Sequence, residues 1–196
     1  MPKKYENYID YLNKTIQIPS VQPYLAIDMF AGCGGLSLGF EAAGIKTIGY
    51  EMVEDCCNSY RYNLHSECYQ EKITVDTEFP KVDIVIGGPP CQPFSRRGKQ
   101  TGKNDERNGF PAFIEAIRKI KPKIWLCENV KGLPEQNKDY FEFIIKQFKS
   151  LGYKVDCRVF RIVNYDVPQN RERLVIVGHY GGFEFPKAND YKVSAG

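Results

Sequence analysis

Tyr24-Leu25-Ala26-Ile27-Asp28-Met29-Phe30-Ala31-Gly32-Cys33-Gly34-Gly35-Leu36-Ser37-Leu38-Gly39-Phe40 carries the architecture of this chain. An apolar run meets an acid, a cluster of glycines follows, and an apolar-periodic stretch comes next. The order reads as strand, tight turn, helix: the opening unit of an α/β sheet that binds a ligand beyond the carboxyl end of its first strand. Strand and helix patterns alternate from there on. Strand-like runs lie at Tyr24–Phe30, Lys46–Tyr50, Val82–Ile86, Ile124–Cys127, Lys154–Val163 and Leu174–Val177. Helical periodicity lies at Gly35–Ala43, Val53–Tyr62, Phe110–Ile120 and Tyr140–Leu151. Such alternation predicts a Rossmann-like α/β fold, a mostly parallel sheet with helices on both faces. Residues 24–180 form that domain. Residues 1–23 read as an N-terminal extension, with a short helix over 5–14 broken by Ile18-Pro19-Ser20-Val21-Gln22-Pro23. Residues 181–196 carry glycines, a proline and little periodicity, and read as a linker or partner-docking tail.

The glycine turn indicates what kind of ligand fits. It reads Gly32-Cys33-Gly34-Gly35, not the GxGxxG of dinucleotide sites, and it lacks the Gly-Lys-Ser/Thr ending of a phosphate loop. Glu51 ends the next strand-like run, where a carboxylate can accept hydrogen bonds from both hydroxyls of a ribose. Asp76, after Ile73-Thr74-Val75, is either a receiver for an adenine amino group or a plain turn residue. An adenosine ligand without phosphates, such as S-adenosylmethionine, suits this set. A glycine turn that is only a turn, and a Glu51 that is only a solvated carboxylate, are the bland alternatives.

A second cluster carries reactive groups. Gly87-Gly88-Pro89-Pro90-Cys91-Gln92-Pro93-Phe94-Ser95 follows the apolar run Val82–Ile86, so it sits at the carboxyl end of a buried strand. Its glycines permit close approach and its prolines stiffen the path. Cys91 is either a positioned nucleophile or a buried thiol in a proline-rich turn. Ile124-Trp125-Leu126-Cys127-Glu128-Asn129-Val130 is a strand ending in a carboxylate and an amide. Glu128 is placed there to hold or donate a proton, or the pair caps a helix before Lys131-Gly132. In Gln169-Asn170-Arg171-Glu172-Arg173, two arginines two residues apart point the same way on an extended segment. They face a polar ligand, or they are salt-bridged at a strand entrance. Residues 96–109, with Arg96, Arg97, Lys99 and Lys103, are basic and without apolar anchors, which suits either a lid closing on a polyanion or an ordinary surface loop.

Composition sets the remaining bounds. The 196 residues allow one domain with a core of its own. The net charge of +3 is compatible with nucleic acid without arguing for it. No apolar run is long enough for a membrane span, and the first residues lack the apolar core of a signal peptide. The 7 cysteines are odd in number and form no CxxC pair, so neither a disulfide framework nor a zinc site is expected. A reduced, cytoplasmic, metal-free protein is the expectation. His65 and His179 are isolated and read as surface or loop residues.

Taken together, four segments resemble the cytosine carbon-5 methyltransferase family. They are Phe30-Ala31-Gly32-Cys33-Gly34-Gly35, Pro89-Pro90-Cys91-Gln92, Glu128-Asn129-Val130 and Gln169-Asn170-Arg171-Glu172-Arg173, in the family's order and spacing across about residues 24–185. The resemblance implies a methyltransferase-type sheet, S-adenosylmethionine as cofactor and double-stranded DNA as substrate. It implies that Cys91 attacks carbon 6 of a flipped-out cytosine, that Glu128 holds the ring nitrogen and exocyclic amine, and that Arg173, helped by Arg171, contacts the base oxygen. Phe30, Ala31, Gly32, Cys33, Gly34, Gly35, Glu51, Met52, Asp76 and Pro90 would line the cofactor pocket. Gln92, Ser95, Arg96, Arg97 and Lys99 would meet DNA.

Three departures stand out. The stretch from Gly44 to Glu51 is a residue shorter than the usual pattern. Met52 stands where a larger apolar or aromatic residue is common. The target-recognition region and the last motifs of the family have no counterpart here. The chain therefore resembles the catalytic half of a split enzyme, completed by a second polypeptide and belonging to a restriction-modification system. An RNA cytosine-5 methyltransferase and a non-catalytic S-adenosylmethionine-binding remnant are the competing readings.

Overall fold

The computed structural model describes residues 10, 12, 14, 16–20, 23–64, 66–91 and 108–190. Most of the helix expected over 5–14, together with His65 and the DNA-contact set Gln92, Ser95, Arg96, Arg97 and Lys99, lies outside the described residues.

The elements in chain order are β1 (Tyr24–Met29), α1 (Gly35–Ala42), β2 (Ile45–Glu51), α2 (Glu54–Leu64), β3 (Cys68–Gln70), β4 (Ile84–Gly87), α3 (Phe110–Ile120), β5 (Ile124–Val130), α4 (Gly132–Gln136), α5 (Lys138–Ser150), β6 (Lys154–Arg161) and β7 (Glu172–His179). They form a 7-stranded sheet in the order β3-β2-β1-β4-β5-β7-β6. β7 runs antiparallel to both neighbours, and every other pairing is parallel. The β6–β7 connection contains only a 3-10 turn at Ile162–Asn164, so the chain folds straight back on itself. β1, β2, β4 and β5 are each followed by helix before the next strand, whereas β3 runs to β4 through residues 71–83 without one.

Period-two alternation in the strands lines both faces of the sheet with apolar side chains, and a further cluster of Cys57, Tyr60, Leu64 and Cys68 packs α2 against β3. Ile27, Met29, Val85, Trp125, Cys127 and Ile176 face α3 and α5 and pack with Phe110, Phe113, Ile117, Ile144 and Phe148. Ala26, Ile84 and Ile86 face the other way, against Leu36 and Phe40 of α1. Helix α3 forms because Phe110, Phe113, Ile117 and Ile120 recur at helical spacing, and all four are buried. Trp125 is fully buried between Phe148, at 4.2 Å between ring centroids, and the edge of Phe113.

Two elements escape the sequence pattern. β3 is three residues long, with Tyr69 and Gln70 exposed, so it lacks an apolar run. α4 is five residues long and buries only Leu133. His179, expected on the surface, is buried at the end of β7, with Nε2 2.7 Å from Asp156 Oδ2. The described part of the C-terminal stretch lies along β6: Phe185 packs on Phe160, Arg158 donates to the Pro186 carbonyl, and the Asn189 N–H reaches the Asn164 carbonyl. Among the described residues no helix is long and apolar enough to cross a membrane.

Candidate active site

The site residues gather along one edge of the sheet, where β1, β2, β4 and β5 end and β7 begins. After β1, Phe30 takes φ 61 and Gly32 φ 55, and Gly34 takes φ 87 before α1. The left-handed conformation costs a residue with a Cβ roughly 1–2 kcal/mol, so the turn needs its glycines, and at Phe30 the surroundings must hold the backbone. The next residue supplies that hold, the Ala31 N–H donating to the Tyr50 carbonyl at 3.1 Å. A Cβ built on Gly32 or Gly35 would meet nothing within 4 Å, so the turn opens onto free space. Glu51 accepts the Gly32 N–H at 2.9 Å on one oxygen and the Val53 N–H at 2.9 Å on the other. This fixes the carboxylate beside the turn. A backbone that a ligand can approach closely, with a carboxylate at its rim, fits the ribose of an adenosine cofactor. Met52 is exposed at the same rim. Asp76 sits in an exposed turn, where its N–H is 3.2 Å from Thr74 Oγ1.

β4 delivers Gly88-Pro89-Pro90-Cys91. Three contacts fix this segment. The Asn129 side chain donates to the Pro89 carbonyl at 2.9 Å. The Gly109 N–H donates to the Pro90 carbonyl at 2.9 Å, and Cys91 pairs with Asn108 in an isolated antiparallel bridge. Asn108 Nδ2 in turn donates to the Tyr140 hydroxyl at 2.5 Å. Gly109 is the point of closest approach: a Cβ there would stand 2.5 Å from Pro90 Cδ and 3.0 Å from both Pro89 and the Phe30 ring. The glycine turn and the cysteine segment are thus packed into one unit.

Cys91 is buried, and burial pushes its thiol up to about 11. It is therefore a neutral thiol at neutral pH in this state. Glu128, near the end of β5, has Oε2 3.4 Å from where a Cβ of Gly88 would lie, which puts the carboxylate beside the cysteine segment. Its Oε1 is 2.7 Å from Arg173 Nε. Arg173 also donates from Nη1 to the Glu172 carbonyl at 2.8 Å. Lys131 pairs with Glu172. Arg171 is exposed just before β7 and, with Arg173, lines an open depression of about 410 Å³ between Val130–Gly132 and Gln169–Glu172.

Of the sequence-derived residues, Glu128 pairs with Arg173 and lies beside Gly88, three residues before Cys91, and Phe30 and Pro90 meet across Gly109. The helix-capping alternative for Glu128-Asn129 fails: Asn129 is occupied with Pro89 and with the Val130 N–H, and α4 has no side-chain cap. Asn108, Gly109 and Tyr140 do not stand out in the sequence. A glycine next to a helix start is the available signal for Gly109, while nothing local marks Tyr140, which comes from α5.

The fold and these motifs match known proteins. The family model for C-5 cytosine-specific DNA methylases matches residues 24–193. The chain belongs to the C-5 cytosine-specific DNA methylase family. The type II methyltransferase M.AplI of Arthrospira platensis is 43% identical over 185 residues, covering 93% of this chain and 54% of that protein. The type II methyltransferase M1.HphI of Haemophilus parahaemolyticus is 39% identical over 177 residues, covering 82% and 48%. The chain thus spans about half the length of these relatives. Among solved structures, a protein assigned as a DNA modification methyltransferase encoded within an E. coli prophage superposes with a TM-score of 0.67 at 28% identity, covering 80% of this chain and 46% of that one. The Entamoeba histolytica methyltransferase EhMeth, at 22% identity, shares the fold with a TM-score of 0.68 over 87% of this chain and 57% of that one.

Proposed function

We propose that this chain is the catalytic part of a DNA (cytosine-5-)-methyltransferase of a restriction-modification system. The observation that carries the reading is the Glu128–Arg173 pair beside Gly88 of the cysteine segment, a segment that Gly109 packs against the Phe30 ring of the open glycine turn. Phe30, Gly32–Gly35 and Glu51 hold S-adenosylmethionine, with Met52, Asp76 and Pro90 around it. When bound, the cofactor supplies the methyl group that carbon 5 accepts.

Carbon 5 of cytosine is a weak nucleophile until a group adds at carbon 6. The Cys91 sulfur makes that bond and gives up its proton, splitting one hard step into easier ones. Glu128 holds the ring nitrogen and the exocyclic amine, countering the negative charge that attack places on the ring. Arg173 keeps the Glu128 carboxylate oriented through the 2.7 Å contact and, with Arg171, meets the base oxygen and its surroundings. Loss of the carbon-5 proton and expulsion of the Cys91 sulfur restore the aromatic ring. A base inside a duplex cannot reach a thiol this deep, so the cytosine must be flipped out. Gln92, Ser95, Arg96, Arg97 and Lys99 contact DNA, and a second polypeptide supplies target recognition.

The deciding experiment is trapping on duplex DNA containing 5-fluorocytosine, with S-adenosylmethionine and the second polypeptide present. Carbon 5 then carries fluorine instead of a removable proton, so the adduct persists. We expect a covalent complex mapping to Cys91 and absent in Cys91→Ser. An adduct at Cys33 or Cys127, or trapping only on RNA, overturns the assignment.

A further inference from the structure

Beneath the glycine turn lies a buried chain of oxygen atoms that the reaction scheme does not use. It runs from Asp28 at the end of β1 to Ser37 on α1 (2.7 Å), on to Tyr60 on α2 (2.9 Å), to Thr47 on β2 (2.7 Å), and to Glu41 on α1 (2.6 Å). Ser66 Oγ reaches the same Glu41 oxygen at 2.6 Å. Asp28, Ser37, Glu41, Thr47 and Tyr60 are all buried, at 2% exposure or less.

Hydrogens can be counted along this chain. Each contact at these distances requires one hydrogen between its two oxygens. There are 5 contacts, and the hydroxyls of Ser37, Tyr60, Thr47 and Ser66 bring only 4 hydrogens. With both carboxyls ionised, one contact would set lone pair against lone pair in a dry interior. A fifth proton, carried by a carboxyl, satisfies every contact. Hydroxyl rotors take either sense, so the relay then runs from the protonated carboxyl to the other one. Glu41 meets two hydroxyls, Thr47 and Ser66, on one oxygen, whereas Asp28 meets one hydroxyl, that of Ser37, together with the Ser37 N–H.

We propose that Asp28 is kept as the neutral carboxylic acid, donating to Ser37, and that this proton ties β1 to α1 and holds the glycine turn in its cofactor-binding shape. The second clause rests on the cofactor reading above, whereas the first rests on the hydrogen count, which requires one protonated carboxyl, and on the burial that raises Asp28. Asp28 is a positioning residue: it lies two residues before Phe30 and acts through Ser37. Burial pushes its carboxyl up to about 7, against hydrogen bonding from Ser37 and with help from the Glu51 charge. The titratable groups that face it, Tyr60 from α2, Glu41 at the far end of the chain and Glu51 from β2, are all acids, and none favours an anion at Asp28.

Folding raises this carboxyl from 3.8 to about 7, so the folded chain holds an extra proton across that window. Its contribution to stability therefore falls as pH rises through the window and is flat above it.

The test uses the purified chain and its Asp28→Asn variant. The carboxamide is always neutral and offers an N–H to Ser37. Infrared difference spectra are recorded on unlabelled and ¹³C-aspartate-labelled protein between pH 5.5 and 8.5. We expect the C=O band of an un-ionised carboxyl, shifted by aspartate labelling, titrating with a midpoint near 7, and missing in Asp28→Asn. The variant should melt above wild type at pH 8.5. By calorimetry, S-adenosylmethionine affinity should match wild type at pH 6, and only wild type should lose affinity, by about tenfold, toward pH 8.5. A titrating band that survives in Asp28→Asn, a band insensitive to aspartate labelling, or no band at all overturns the assignment. So does a variant that melts below wild type at pH 8.5. Should the variant not fold, the labelled wild-type spectrum decides alone. The expected band with no cofactor binding at any pH leaves the neutral acid standing and removes the cofactor reading.

Discussion

At the residue scale, Cys91, the proposed nucleophile, is buried and held as a neutral thiol. A thiol raised to about 11 by burial is almost wholly protonated at pH 7.5, so the free chain should resist alkylation there. Iodoacetamide at pH 7.5, followed by peptide mapping, should label the exposed Cys33 and Cys157 well before Cys91. Rapid labelling of Cys91 would mean that the site is open and the thiol already activated. Glu128 should matter differently. Glu128→Gln keeps the shape and loses the charge that Arg173 orients, so single-turnover methylation should fall roughly 10²–10⁴-fold. Trapping by 5-fluorocytosine should slow in proportion. An unchanged single-turnover rate would demote Glu128 to a structural partner of Arg173.

At the element scale, the cofactor turn and the cysteine segment depend on the start of α3. Gly109 seats Pro90, Pro89 and the Phe30 ring at once, and no flexible side-chain end is available to yield. Gly109→Ala should therefore destabilise the fold by about 1–3 kcal/mol in urea titration and weaken S-adenosylmethionine binding as well. A variant with wild-type stability and cofactor affinity would show that the two loops are not coupled there. Tyr140→Phe removes the hydroxyl that receives Asn108 and leaves the ring in place. We expect that change to lower the single-turnover rate with little effect on melting temperature. The elements themselves are largely legible in the sequence: α3 has its observed bounds there because its apolar stripe is regular. β3 is not legible, because three half-polar residues at a sheet edge carry no period.

At the scale of the whole molecule, the sheet is packed with apolar side chains on both faces and should fold as a unit. The chain nonetheless spans about half the length of its relatives, 54% and 48% for the two described above. We expect the chain alone to bind S-adenosylmethionine weakly and to show no sequence-specific methylation, and a second polypeptide to restore both. Tritiated methyl incorporation into duplex DNA, with and without that polypeptide, decides the matter. Sequence-specific methylation by the lone chain would sink the two-chain reading. Replacing Arg96, Arg97 and Lys99 by alanine should weaken DNA binding by the complete assembly. The slope of log K against log salt should shrink in magnitude by up to about 3, roughly one for each phosphate no longer neutralised. Cofactor affinity should stay as it was.

The sequence by itself determined the family, the order of the elements other than β3 and α4, and the identity of Cys91, Glu128 and Arg173 as candidates. These are matters of local pattern: apolar period, glycines at a strand end, and motifs in register. It did not determine the direction of β7, the seat at Gly109, the grip of Asn129 on Pro89, or the protonation state of Cys91 and Asp28. Each of these depends on groups brought together from distant parts of the chain. A thiol or carboxyl has its ordinary acidity until surrounding elements exclude water from it, and only the tertiary structure decides where water is excluded.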